Sequence, residues 1–241
     1  MYITEFTTDE ELISDVLGVP QAVKHTGDFK YHAEFYTQQA NTIVRFTPDK
    51  TTFSNYCFGP SNVDNSKLTN KYDETDGFNL EKANTYYSID LNLMTLEYNV
   101  EEFIPDAEPL PIGEETWINE NDHSMGTRIY EMGIIGWGFP AKYACNTTKN
   151  PIVLTQDANN PFFLYAEVDL TKGDNISFIY DQKSSKGWWY KPFFRWDNAD
   201  DPEANVMNGG INMISCEIKA TGTYRFEFDT YLLRSRVYKI N

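Results

Sequence analysis

Two stretches far apart in the chain, TYYSIDLNL at 85–93 and TYRFEFDTY at 223–231, alternate apolar and polar residues with a period of two. Successive side chains of an extended strand point to opposite faces, so each stretch predicts a strand with one buried face. A short run follows each, LEYNV at 96–100 and RVYKI at 236–240. AEVDL, TKGDN and ISFIY (166–180) read as strand, turn and strand, with Gly173 supplying the turn. Strands with one apolar face bury it by stacking sheet on sheet, so the expected fold class is all-β, in antiparallel sandwiches. The composition agrees. There are 16 Tyr and 16 Phe among 241 residues, a bias toward strand formers.

These features recur in one order. FKYHAEFYTQQANTIVRF (29–46) parallels FFLYAEVDLTKGDNISFI (162–179), with Ala33 and Glu34 on Ala166 and Glu167, and Ile43 on Ile176. The TYYSIDLNL and TYRFEFDTY stretches run parallel from Thr85 and Thr223, and GVP at 18–20 parallels GFP at 138–140. A repeat of this size predicts two copies of one domain. Between the copies, residues 101–126 hold eight Asp or Glu, three prolines and no Lys or Arg, the composition of a connection. The expected organisation is a β-sandwich domain over 1–103, an acidic, proline-containing linker over 104–126 and a second β-sandwich over 127–241. The segment TTDEELISDVLG admits two readings. Thr8 and Glu11 have capping-box spacing for a short helix, whereas the repeat calls for a strand.

A formal net charge of −16 argues against nucleic acid as a partner, which needs a basic footprint. Cys57, Cys145 and Cys216 share no close spacing and read as small buried apolar residues. His25, His32 and His123 do not fall at zinc-finger spacing, and DNADDPE at 197–203 lacks the alternating acids of a calcium loop, so no metal or other cofactor is expected. No apolar run reaches the length of a membrane span, and the first residues do not read as a signal peptide. No Walker loop, GxGxxG, HExxH or nucleophile elbow is present.

The densest chemistry lies in KGWWYKPFFRWDN (186–198), where six of thirteen positions are large aromatics interleaved with Lys186, Lys191 and Arg195. A sugar ring offers an apolar C–H face and a rim of hydroxyls. Trp188, Trp189 and Trp196 supply flat surface for the face. Lys191 and Arg195 donate to the hydroxyls, Asp197 accepts, and Asn198 does both. The competing reading makes the aromatics core residues with cations packed over them. Pro192 marks a loop or edge within the stretch.

The second half runs through IYEMGIIGWGFPAKY (129–143), FFLYAEVDLTKGDNISFIY (162–180), the Trp-rich stretch, GGINMISCEIKATGTYRFEFD (209–229) and RVYKI (236–240). This order resembles the tandem carbohydrate-binding domains of the SusE/SusF family, starch-binding lipoproteins of the outer surface of Bacteroidetes cells. Gly136-Trp137, Leu170-Thr171-Lys172-Gly173, Gly210-Ile211-Asn212 and Ala220-Thr221-Gly222-Thr223-Tyr224 match the family's segments in turn, the last with one inserted Thr. The resemblance is close over 127–241 and loose over 16–103. It implies Ig-like, starch-binding-like sandwiches, no catalysis and no cofactor, and a polysaccharide or oligosaccharide partner. It also implies an outer-membrane, cell-surface location through a lipid anchor outside this sequence, beside a glycan transporter complex. The glycan-binding residues expected are Trp188, Trp189, Lys191, Arg195 and Trp196, with Asn212 added by the resemblance.

The first half departs from the pattern. In TPDKTTFSNYCFGPSNVD (47–64), Phe53, Tyr56 and Phe58 stand where the tryptophans would be, and only Lys50 and the distant Lys67 supply positive charge. That half is expected to be a weaker binder or a spacer. Two other classes stay open: a structural or adhesion protein without glycan affinity, and a glycoside hydrolase, whose two carboxylates leave no spacing signature in a sequence.

Overall fold

In the computed structural model of the chain, the described residues are 1–12, 20–53, 56–118, 120–135, 152–182, 193–198, 201–208 and 216–241. They are all-β apart from a four-residue helix and one 3₁₀ turn, and every strand pairing among them is antiparallel. The chain forms two compact units, Met1–Ala107 and Glu108–Asn241.

The first unit begins with β1 (Tyr2–Thr4), helix α1 (Asp9–Leu12), β2 (Gln21–Ala22) and β3 (Lys24–Gly27). Then come β4 (Lys30–Thr37), β5 (Thr42–Thr47), β6 (Gly59–Pro60) and β7 (Leu68–Thr69). The 3₁₀ turn Tyr72–Glu74 leads to β8 (Phe78–Leu80), β9 (Thr85–Asn92) and β10 (Glu97–Phe103). Two four-stranded sheets result, in the orders β2-β1-β5-β8 and β10-β9-β4-β3. Ile3, Val44, Phe46, Phe78 and Leu80 from one and Ala33, Tyr87, Ile89 and Leu91 from the other form one buried cluster. The alternation read from the sequence thus buries one face of each sheet against the other, as in a sandwich. Helix α1 begins directly after Thr8, as the capping-box reading requires; Ile13, Val16 and Leu17 lie outside the described residues.

The second unit holds β11 (Gly113–Ile118), β12 (Met125–Ile135), β13 (Ile152–Val153), β14 (Thr155–Gln156), β15 (Phe163–Leu170) and β16 (Asn175–Gln182). It continues with β17 (Phe193–Asn198), β18 (Asp201–Asn208), β19 (Cys216–Glu217), β20 (Gly222–Asp229) and β21 (Arg234–Lys239). A seven-stranded sheet follows β11-β12-β16-β17-β18, with β13 on β12 and β19 on β16; a four-stranded sheet follows β14-β15-β20-β21. Strand β11 lies inside the acidic stretch expected to be connection only. The prolines of that stretch end at Pro111, and Thr116-Trp117-Ile118 is a run of strand formers that the averaged composition conceals.

One pairing scheme occurs in both units. The order β3-β4-β9-β10 matches β14-β15-β20-β21. Strands β1, β2, β5 and β8 match β12, β13, β16 and β19: β2 and β5 flank β1 as β13 and β16 flank β12, and β8 pairs the start of β5 as β19 pairs the start of β16. The hairpin turns agree in detail. Asn92 Oδ1 accepts from the amides of Met94 and Thr95 at 3.1 and 3.3 Å, and Leu96 follows with φ 56. Asp229 Oδ1 accepts from the amides of Tyr231 and Leu232 at 2.9 Å each, and Leu233 follows with φ 52. Both are side-chain-closed turns ending in a left-handed residue.

The pairing also revises one of the sequence correspondences. Ala33 pairs with Ile89 and Ala166 with Phe226, so Thr85 corresponds to Gly222 rather than Thr223. Of the GVP and GFP triplets, all but Pro20 lies outside the described residues. Short identities mislead where the register is fixed by the partner strand.

Candidate functional site

Of the expected glycan-binding residues, Trp188, Trp189 and Lys191 fall in 183–192 and Asn212 in 209–215, both outside the described residues, as is Trp137. Arg195 and Trp196 lie on β17, in register with Met207 and Val206 of β18, just before a bulge between Trp196 and Asn198. Phe178 pairs with Phe194 and Ile179 with Phe193. The Trp-rich stretch therefore joins two paired strands of the seven-stranded sheet and runs into the second of them.

The equivalent place in the first unit is described. Ile43 and Ile176 fix the correspondence, since each pairs with the short strand at the start of its own, and three positions on stand Phe46 and Ile179. Phe46 is bridged to Phe58 in both directions, by N–H···O bonds of 3.1 and 2.8 Å, as Ile179 is paired to Phe193. Between Phe46 and Phe58 the chain places Phe53 and Cys57 in a second buried cluster, against Phe6. Asp9 anchors this segment: its Oδ1 accepts from the Phe53 amide at 2.5 Å and its Oδ2 from the Thr52 hydroxyl at 3.2 Å. Phe53 stacks on Tyr72, with centroids 6.1 Å apart and planes at 18°, and Tyr72 is 43% exposed. Tyr56 is also exposed. Burial pushes the Cys57 thiol up to about 12, with Arg45 pulling the other way, so it is a neutral packing residue. Cys145 lies outside the described residues.

The cation of this place is Arg45, which stands just before the 47–64 segment. Val44 and Phe46 face the core, so alternation turns Arg45 to the outer face of β5. Its Cζ lies 5.9 Å from the Phe53 centroid. Its Nε and Nη1 are buried and have no hydrogen-bond partner. The two cations the sequence did offer are engaged elsewhere. Lys50 sits over the Tyr2 ring at 5.3 Å, and Lys67 Nζ lies 3.4 Å from Glu97.

A second polar cluster covers the outer face of β15-β20-β21. Glu227, 3% exposed, accepts from Arg225 Nε at 2.9 Å, Arg236 Nε at 2.8 Å and the Tyr238 hydroxyl at 3.2 Å. Arg225 also donates to Glu167 at 3.2 Å and lies 4.4 Å over the Tyr165 ring. Burial lowers the Arg236 pKa and raises that of Tyr238, the latter helped by the charge of Glu227. Each of these charges has a partner, which is the arrangement of a structural network rather than a vacant site. Among the described residues no three His, Cys, Asp or Glu side chains gather as a metal site, and no helix is long and apolar enough to cross a membrane.

Comparison with known proteins returned no match to any family model, curated protein or solved structure.

Proposed function

We propose that the chain is a non-catalytic glycan-binding protein made of two copies of one β-sandwich, with its principal site in the second. Trp188, Trp189 and Trp196 stack on sugar faces, and Lys191, Arg195 and Asn212 hydrogen-bond the hydroxyls. The observation that carries this reading is the position of the Trp-rich stretch, at the connection of two paired strands. Connections at a sheet's end have solvent on one side and a rigid scaffold on the other, the usual setting of binding residues. The ordered segments shared with SusE/SusF-like proteins support a starch-like glycan, a cell-surface location through a lipid anchor, and work beside an outer-membrane glycan transporter. The pairing scheme and turn chemistry common to both units support the duplication.

Affinity electrophoresis tests the reading, with gels containing starch, pullulan, dextran, xylan or β-glucan. Wild type should be retarded in at least one gel, and Trp188→Ala, Trp189→Ala or Trp196→Ala should abolish retardation while keeping the wild-type circular dichroism spectrum. Stacking of a nucleobase on an aromatic is worth about 1–3 kcal/mol, and a sugar face buried on one ring at a similar worth suffices to change mobility. Free migration of wild type in every gel, or retardation untouched by all three folded variants, refutes it.

A further inference from the structure

Buried hydrogen-bonding groups in folded proteins are almost always paired, and an orphaned one calls for a reason. Arg45 has two, Nε and Nη1, both on a permanently charged group. Among the described residues no carboxylate lies within ion-pair distance of it. Asp9 accepts from Thr52 and Phe53, and Glu74 pairs with Lys71 at 2.6 Å. The Phe53 ring does not compensate the charge, because 5.9 Å is at the outer limit of a cation–π contact.

The surroundings keep the guanidinium in place without satisfying it. Gly77, with φ +89, lets the arginine stem pass close, since a Cβ there would come within 2.9 Å of Arg45 Cγ. Phe53 is fixed through its amide and stacks on Tyr72, which presents its ring to solvent. The result is a half-buried guanidinium with two buried nitrogens that lack an acceptor, flanked by a stacked aromatic pair whose Tyr72 member is exposed.

We propose that Arg45, Phe53 and Tyr72 form a binding site of the first unit for an acidic sugar, a uronate. Its carboxylate pairs with the Arg45 guanidinium and its C–H face rests on the aromatic pair. A planar guanidinium matches a carboxylate in geometry as well as charge, and a neutral sugar would leave the charge uncompensated. The two nitrogens are buried in the free protein, so this pairing requires the Phe53 ring to turn aside while Asp9 holds its backbone amide. This makes the first unit a binder in its own right rather than a spacer. The proposal does not depend on the Trp-rich stretch of the second unit or on its glycan.

The test is calorimetric titration of the full chain with methyl glucuronide, methyl glucoside and acetate, together with thermal melting. Wild type should bind the glucuronide at least tenfold more tightly than either the glucoside or acetate. Arg45→Met and Tyr72→Ala should each weaken it at least tenfold, and Trp188→Ala should leave it unchanged. Arg45→Lys keeps the charge but loses the fork and should also bind more weakly. Melting separates a ligand group from a structural one. Arg45→Met removes an unsatisfied charge, so the free variant should melt at or above the wild-type temperature. Failure of the glucuronide to bind overturns the proposal, as does equal binding of the glucoside. So does glucuronide binding that Arg45→Met leaves intact, or a melting temperature lowered in that variant, which would make Arg45 structural. Glucuronide binding lost in Trp188→Ala assigns the site to the second unit and equally overturns it.

Discussion

Replacing Glu227 by Gln should destabilise the second unit far more than its place on the outer face of a sheet would indicate. The side chain is 3% exposed and neutralises two guanidinium groups whose side chains are only 21% and 22% exposed. Glutamine preserves the volume. It removes the charge and turns one acceptor into an amide donor that faces N–H groups. Breaking a buried pair by removing one partner typically costs about 3–5 kcal/mol. The partial exposure of Arg225 and Arg236 lets water take up some of the loss, so about 3 kcal/mol is expected. In a unit of this size that corresponds to a fall of about 10 °C in melting temperature. Urea unfolding followed by far-ultraviolet circular dichroism measures it. The loss should persist at high salt, because buried pairs are weakly screened. An exposed pair is the control: Lys82→Ala, which breaks a 2.7 Å contact with Glu102, should leave the melting curve in place. A Glu227→Gln variant within about 0.5 kcal/mol of wild type would refute the reasoning and reduce the network to surface pairs of the usual small worth.

Two further predictions concern the first unit. Cys57 keeps its proton to about 12 when folded, against 9.0 for an ordinary thiol, so between these values the unfolded chain binds fewer protons than the folded one. The contribution of Cys57 to stability should therefore be constant below pH 9 and fall by about 1.4 kcal/mol per pH unit from there to about 12. Cys57→Ala should remove that slope, and alkylation of Cys57 in the native protein at pH 8 should be slow. Gly77→Ala should cost about 2–4 kcal/mol in urea unfolding, because the backbone is left-handed there and the new methyl would meet the Val44 carbonyl oxygen at 2.8 Å. A stability loss below about 1 kcal/mol would show that the turn relaxes.

The all-β class and the main strands were legible in the sequence, because alternation is a local signal: YSIDLNL and YRFEFDT each declare their buried face. The turn at Gly173 was equally local. Register was not. Letter-by-letter identity puts Thr85 on Thr223, and only pairing to Ala33 and Ala166 fixes the one-residue shift. The acidic content of 101–126 masked β11, whose pairing with β12 is a contact between separate segments. The aromatic stretch was visible as composition, while the cation of the first unit was not. Arg45 lies two residues before the 47–64 segment and reaches Phe53 only because β5 and the chain returning from it are folded together.

By itself, then, the sequence determined what depends on neighbours along the chain: strand periodicity, turn residues, the acidic charge and the aromatic run. The tertiary structure decided what depends on neighbours across strands. Alternation turns both Glu227 and Arg45 away from the core and marks them as ordinary surface residues. Glu227 is buried because Arg225, on its own strand, and Arg236, directly opposite on β21, close over it. Arg45, near Phe53, has Nε and Nη1 buried and receives no acceptor for them. The difference between a satisfied charge and an unsatisfied one lies in which side chains the fold brings within about 3 Å, and that distance is set by packing between segments that are remote in sequence.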